Sequence, residues 1–276
     1  MGDTNDRNRL ISMCLPKSNQ SSQPRATNIY QNDAKAYSSP KPSTSSGTSS
    51  SPKKKLRPAK ALIFNHQNFD NPKYNRPGSR HDVNALNKVL KDKYKCDTDV
   101  IPDATVAEVK SVMDEMMKKN FEEHSALVTI VLSHGDQNET IMAKDGKYSL
   151  DKDILHPILK NQTLVDKPKI FFVQTCKGEI IGYRMDFPFS PSEVFIFYSS
   201  FEGYVSWINR NGSIFIQTLC EVLERDGETK DIDAIMGKVI ATVKNTRIIQ
   251  DEQQIPSVLT TLTQKYCFGD YMHNKS

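Results

Sequence analysis

Residues 1–58 and 59–276 are patterned differently. In the second stretch, short apolar runs alternate with segments whose apolar residues recur every three or four positions, the period of a helix face. Residues 61–64 (Ala-Leu-Ile-Phe) predict a buried strand. Over 82–94, Val83, Leu86, Val89 and Leu90 predict a helix, and over 105–120 Val106, Val109, Val112, Met113 and Met116 predict a second. Residues 126–132 (Ala-Leu-Val-Thr-Ile-Val-Leu) are uniformly apolar but for one threonine, as in a central parallel strand. Asp145-Gly146 marks a hairpin within 140–150, and 150–159 predicts a short helix. Residues 169–174 and 193–199 predict two further strands. Ser213 caps a helix running to about residue 225, Asp231 opens another to about residue 244, and 257–262 reads as the last strand. This alternation predicts an α/β fold, a mostly parallel sheet with helices on both faces.

Residues 37–52 are almost entirely Ser, Pro, Thr, Gly and Lys. Such a stretch lacks the apolar groups that offset the entropy of ordering, so residues 1–58 are expected to be disordered. The run Lys53-Lys54-Lys55-Leu56-Arg57 ends the stretch. It is either a solvated linker end or a patch for nuclear import or an acidic surface.

Composition narrows the class. Of 276 residues, 37% are hydrophobic and 25% charged, ordinary values for a soluble globular chain. No apolar run approaches the ~18 residues a spanning helix needs, and no apolar core of a secretory leader is expected at the N-terminus. The net charge of +4 is unevenly spread: residues 1–60 carry 11 Lys or Arg against three acidic residues, and the rest 26 against 30. The body therefore offers no basic surface for nucleic acid. Five cysteines (Cys14, Cys96, Cys176, Cys220, Cys267) are an odd, widely spaced set without a CxxC pair. That argues against a disulfide framework or a zinc site and for a reducing, cytoplasmic compartment, with nuclear access left open by the basic run. The histidines at 66, 81, 124, 156 and 273 have no ligand-like spacing, so no metal or cofactor is expected.

In parallel sheets, function gathers at the carboxyl ends of strands. Ser133-His134-Gly135 follows the predicted strand at 126–132, and Thr175-Cys176-Lys177-Gly178 follows the one at 169–174. A thiol is nucleophilic as thiolate, and an imidazole can take its proton or stabilise the ion pair. Acyl transfer also needs donors aimed at the developing oxyanion; the N–H groups of Gly135 and Cys176 are candidates. The alternative is a buried core cysteine and a hydrogen-bonded core histidine. Both residues sit in small polar turns rather than on apolar faces, which favours chemistry.

These residues also carry a resemblance. Gln174-Thr175-Cys176-Lys177-Gly178 resembles the caspase pentapeptide Gln-Ala-Cys-Arg-Gly, and Ser133-His134-Gly135 the family's Ser-His-Gly. Arg76-Pro77-Gly78-Ser79 with Asp82 and Leu86, the segments 203–207 and 212–217, and residues 254–268 are similar to further family motifs in the same order, across about residues 60–270. The resemblance implies a caspase-like fold with a six-stranded sheet and an organisation into a prodomain (1–58) and a catalytic domain (59–276). The catalytic domain comprises a large-subunit part (about 59–178), a short linker (179–192) and a small-subunit part (193–276). It implies cysteine endopeptidase activity after aspartate in apoptosis or related signalling. Cys176 would be the nucleophile, His134 the acid/base, and Gly135 and Cys176 the oxyanion hole. Arg76 and Gln174 would hold the aspartate carboxylate, while Tyr204, Ser206 and Trp207 line the cleft; core packing is the alternative for Trp207. A backbone carbonyl near Tyr74 would orient His134. Implied partners are aspartate-bearing protein substrates, a second caspase chain in a homo- or heterodimer paired through the last strand, and inhibitor-of-apoptosis proteins, with no nucleic acid or membrane.

Three departures qualify this. Where the family's Ser-Trp-Arg supplies a second pocket arginine, Ser206-Trp207 is followed by Ile208. Losing one partner of a buried charge pair costs about 2–5 kcal/mol. The linker is short, and its single aspartate, Asp186, precedes bulky Phe187, so efficient cleavage there is not expected. The tail is too short and polar for a death-fold adaptor domain, although Asp33-Ala34 offers a trimming site. Two readings follow: an active endopeptidase, or a catalytically weak regulator or decoy that dimerises with an active caspase.

Overall fold

The computed structural model describes residues 11–12, 55–136, 139–176, 191–202, 204, 206–246 and 253–272. Most of the predicted disordered tail with Asp33-Ala34, the linker with Asp186, and Gly203, Val205 and His273 lie outside the described residues.

The elements run β1 (Ile11–Ser12), β2 (Lys60–Asn65), α1 (Ser79–Leu86), β3 (Asp97–Pro102), α2 (Val106–Lys118), β4 (Leu127–Leu132), β5 (Gly135–Asp136), β6 (Thr140–Met142), β7 (Lys147–Ser149), α3 (His156–Lys160), β8 (Lys169–Gln174), β9 (Val194–Tyr198), β10 (Trp207–Asn209), β11 (Gly212–Ser213), α4 (Ile214–Asp226), α5 (Ile232–Asn245) and β12 (Ser257–Thr260). The main sheet has six strands in the order β12-β9-β8-β4-β2-β3. All its neighbours are parallel except β12, which runs antiparallel to β9. The α/β, mostly parallel six-stranded architecture expected from the pattern is the one observed.

β2, β4, β8 and β9 are buried along their whole length. Because successive side chains point to opposite faces, each strand feeds two cores. Ile63, Val128, Ile130, Phe172 and Phe197 pack with α1, α4 and α5 on one face; Leu62, Phe64, Val131, Phe171 and Val173 pack with α2 and α3 on the other. Local signals set the helix starts. Thr105 accepts from the Glu108 N–H while Glu108 reaches back to the Thr105 N–H, a reciprocal capping box on α2. Ser213 and Asp231 cap α4 and α5 by accepting from the N–H groups of Ile216 and Ala234.

The structure differs from the pattern in places. The helix expected over 82–94 starts earlier and widens into a π-helical turn over Asn87–Lys93. The one expected over 150–159 likewise begins as a π-helical turn, Leu150–Leu155, before α3. β3 carried no strand signal, because an edge strand open to solvent tolerates Asp97 and Asp99. Its partner is the buried Lys60, whose ammonium lies 3.0 Å from Asp97 and 2.6 Å from Asp99. Two residues of the stretch expected to be disordered form β1, which pairs antiparallel with β10; β10 pairs on its other side with β11.

Candidate active site

β4 and β8 are adjacent and parallel, with Leu132 paired to Gln174. Their exits therefore lie level. Two residues past Leu132 comes His134, and two past Gln174 comes Cys176. The Ser133 N–H donates to the Gln174 carbonyl at 3.1 Å, stitching the turns together where the strands end. The turns then press close: a Cβ on Gly135 would sit 2.0 Å from the Cys176 carbonyl oxygen and 2.9 Å from Thr175 Cβ. Glycine is required here by approach, not by backbone angle.

The His134 ring is fixed from three sides. Its Nε2 lies 2.8 Å from the Tyr74 carbonyl oxygen. A carbonyl only accepts, so Nε2 carries the proton and, in the neutral ring, Nδ1 is the basic nitrogen. Phe69 and Tyr74 flank the ring with centroids at 5.5 and 6.0 Å. The Cys176 turn is held by two hydroxyls: Ser199 Oγ and Ser206 Oγ each donate to the Thr175 carbonyl at 2.9 Å. The Ser206 N–H points at Cys176 Sγ at 3.4 Å. The side chain of Ser206 thus serves the nucleophile's turn, and only its backbone faces the sulfur.

Arg76 is almost fully buried, with Nη1 donating to the His66 carbonyl (2.8 Å) and to Ser79 Oγ (3.0 Å). Burial lowers its pKa to about 10, against the pull of Asp82 and Asp103, so it stays cationic at neutral pH. Burial pushes the Asp82 carboxyl up to about 6, although Gln217, Ser213 and Arg76 stabilise its anion. Burial, then the neighbouring Arg76 charge, press His66 down to about 4, so this histidine is neutral near pH 7. Gln174 is completely buried, and neither end of its amide has a hydrogen-bond partner among the described residues. An unsatisfied buried amide at the root of the Cys176 turn is a group built for a ligand or a bound water.

Ile208 is 3% exposed, and a Cβ on Gly78 would meet its Cγ1 at 3.2 Å. It packs against the loop that carries Arg76. Arg210 lies in the exposed turn after β10. Tyr204 is exposed and stands edge-on to exposed Phe201, centroids 6.3 Å apart. Trp207 is half-buried. Its backbone N–H donates to Gln254 Oε1 at 3.0 Å, while Gln254 Nε2 donates to the Ser199 carbonyl at 2.8 Å.

A caspase domain model matches residues 58–267. The chain belongs to the caspase family. It is 29% identical over 238 residues to Caspase drICE of Drosophila melanogaster, covering 76% of this chain and 69% of that protein. It is 30% identical over 234 residues to Caspase-1 of Spodoptera frugiperda, covering 76% and 78%. The crystal structure of that Caspase-1 superposes with a TM-score of 0.69 at 29% identity, over 79% of this chain and 93% of that one. The family is one of cysteine peptidases.

Within this caspase domain, some positioning residues gave no local signal. Phe69 owes its place to the loop after β2, where Asp103 accepts from the N–H groups of Gln67 and Asn68 at 2.7 and 2.8 Å. Asp103 and the residues it ties are more than 30 positions apart. Gln254 lies in a motif noted from sequence, but its bridge from β10 to the end of β9 shows only in three dimensions. Among the described residues, Cys96 and Cys220 are buried free thiols and Cys267 is a partly buried one.

Proposed function

We propose that this caspase-family chain is a cysteine endopeptidase cleaving peptide bonds after aspartate, acting in the cytoplasm in apoptotic or related signalling. The convergence of the His134-Gly135 and Cys176 turns at level exits of β4 and β8 carries this reading. The Cys176 thiolate attacks the scissile carbonyl, and the N–H groups of Gly135 and Cys176 take the oxyanion. His134, its Nε2 proton held by the Tyr74 carbonyl, passes a proton through Nδ1 to the leaving amine and later takes one from the hydrolytic water. Arg76 and Gln174 receive the aspartate carboxylate, with bidentate guanidinium pairing as the source of charge selectivity. Tyr204 and Trp207 border the neighbouring substrate side chains, and β10 accepts the substrate backbone. β12 is an edge strand with Leu259 exposed, free of the charges that guard β3, and in this reading it pairs with a second caspase chain across a two-fold axis.

The test is positional peptide-library profiling of the full chain under reducing conditions, with Cys176→Ala as control. Aspartate-selective cleavage lost in the variant is the expected result; no Cys176-dependent turnover overturns the reading. Buried Ile208 favours a second reading, in which the chain is a weak regulator that pairs with an active caspase. In that case Ile208→Arg gains nothing, and an acyloxymethyl-ketone aspartate probe leaves reduced Cys176 unlabelled.

A further inference from the structure

Arg76 is buried, and a buried cation needs a counter-charge. The acidic groups acting on it are Asp82 first and Asp103 second. Asp82 is completely buried on α1, the helix that Arg76 reaches by donating from Nη1 to Ser79 Oγ at 3.0 Å. Asp82 Oδ1 accepts from the Ser213 N–H at 2.8 Å and from Gln217 Nε2 at 2.7 Å, tying α1 to β11 and α4. Gly212 allows that approach: its φ is +112°, and a Cβ there would strike Asp82 Oδ1. Asp82 Oδ2 has no hydrogen-bond partner among the described residues. One oxygen therefore holds the scaffold, and the other leaves negative charge in the surroundings of Arg76.

Ile208 stands where the family's Ser-Trp-Arg has its arginine, and it is buried against the Arg76 loop. The local sum is then one guanidinium and one carboxylate; a second guanidinium would leave a positive charge for the substrate. Gln174 points the same way, since both the donor and the acceptor of its buried amide are unused among the described residues. A substrate carboxylate can meet only the donor. A carboxamide of the same shape meets both, its oxygen accepting from Nε2 and its NH2 donating to Oε1. We infer that this pocket is charge-balanced and takes asparagine as well as aspartate at the cleaved position, with Asp82 setting the margin between them. The inference rests on the reading of Arg76 and Gln174 as the pocket for that side chain. Aspartate gains from Arg76 but is opposed by Asp82 in the same low-dielectric surroundings, whereas asparagine brings no charge to oppose.

The margin responds to pH through the same carboxyl. The groups facing Asp82 are Arg76, Ser213 of β11, and Gln217 and Cys220 of α4. Burial holds the Cys220 thiol well above its ordinary range, so of these only Arg76 is charged. Burial raises Asp82 to about 6 against the hydrogen bonds of Gln217 and Ser213, so it takes up a proton as pH falls through that value. Arg76 then loses its strongest counter-charge, while a peptide aspartate, ordinarily near 3.9, is still ionised. His66 stays neutral above about 4. Burial would raise Asp103, but hydrogen bonds from Asn68 and Gln67 outweigh it and keep that carboxylate charged. Acidification therefore favours aspartate over asparagine.

The test presents two positional peptide libraries, identical but for Asp or Asn fixed at the cleaved position. Turnover is followed with the full chain under reducing conditions, and retention of uncleaved peptide with Cys176→Ala, at about pH 7.5 and about pH 5.5. Taking the Asp-to-Asn ratio removes the titration of Cys176 and His134, which acts on both libraries alike. The wild-type ratio is expected below ten-fold at the higher pH and several-fold larger at the lower. Asp82→Asn, which keeps an oxygen for Ser213 and Gln217, should raise the ratio at least ten-fold at the higher pH and make it independent of pH. A wild-type ratio above ten-fold, or one that moves with neither pH nor Asp82→Asn, overturns the inference. So does a pH response that persists in Asp82→Asn; if that variant does not fold, the wild-type response to pH decides. Libraries retained in the expected pattern by Cys176→Ala but never cleaved by the wild type fail only the proposed function. Cleavage after aspartate alone fails only this inference, and peptides neither retained nor cleaved overturn both.

Discussion

The two sides of the candidate site are built by different means. On the chemical side, His134-Gly135 and Cys176 emerge from adjacent, fully buried parallel strands in a fixed register, and their turns are locked by the Tyr74 carbonyl, Ser199 and Ser206. On the recognition side, β10 is a three-residue strand outside the main sheet, tied to the core through Gln254 and by packing of Ile208 against the Arg76 loop. A register repeated along six residue pairs places reacting groups with little latitude. A short strand with an open edge is instead selective only through what pairs with it and what surrounds the pocket. That is why two residues of the tail can pair there, and why, in the proposed reading, Ile208 in place of the family's arginine bears on capture rather than on the chemistry.

Four substitutions break or sharpen this contrast, and the largest effect belongs to the chemical side. Gly135→Ala has no room for its methyl and must part the two turns. A drop of about 10²–10³-fold in the rate of single-turnover acylation by an aspartyl probe is expected, comparable to losing an oxyanion donor. Loss below ten-fold would separate the close approach from catalysis. On the recognition side, Gln254→Ala unties β10 from the end of β9. Under reducing conditions kcat/KM should fall about ten-fold, mainly through a raised KM, and the acyl-probe rate at saturation should change much less; a matching fall in both would merge the two regions into one.

Ile208→Arg tests capture from the other direction. The added guanidinium is expected to raise kcat/KM for an aspartyl peptide by 30-fold or more, in line with about 2–5 kcal/mol for a buried charge partner. Without ligand it sets a second cation near Arg76, so the same variant should unfold at lower denaturant concentration. A gain in turnover with unchanged stability would place the new side chain outside the buried pocket.

The smallest effect is a slope. Asp82, raised to about 6 from an ordinary 3.8, binds more protons folded than unfolded between those values. Its contribution is therefore fully present below pH ~4 and lost as pH rises through about 6. His66, lowered from 6.5 to about 4, has the opposite sign: its contribution is lost as pH falls through that window. The two slopes, each on the order of 1.4 kcal/mol per pH unit, oppose one another. Asp82→Asn removes one, so the variant's urea-unfolding stability should gain on the wild type as pH rises from 4 to 6. A constant difference across that range would rule out Asp82 titration as its source.

Much of the fold was legible in the chain because the buried strands are long, apolar and β-branched, a pattern that few solvent-facing segments show. β4, β8, α4 and α5 fell within a few residues of their expected positions, and Ser213 and Asp231 cap as their side chains suggest. β3 was not legible, since its pairing depends on buried Lys60 finding Asp97 and Asp99 from the next strand. The π-helical turns were hidden too, because a widened turn keeps nearly the same apolar spacing.

The division at the site has the same cause. The residue types of Ser133-His134-Gly135 and Gln174-Thr175-Cys176, and their positions after two strands, are properties of the sequence. Local patterning determines where a parallel strand ends, and the chemistry of Cys and His is carried by the residues themselves. Only the tertiary structure decided that those strands are neighbours in register, that the carbonyl expected near Tyr74 meets Nε2 and so sets the tautomer of His134, and that Asp82 shares the buried surroundings of Arg76. It alone placed a strand of the tail on β10. Each of these joins groups distant along the chain through a few contacts, and no local period in the sequence records them.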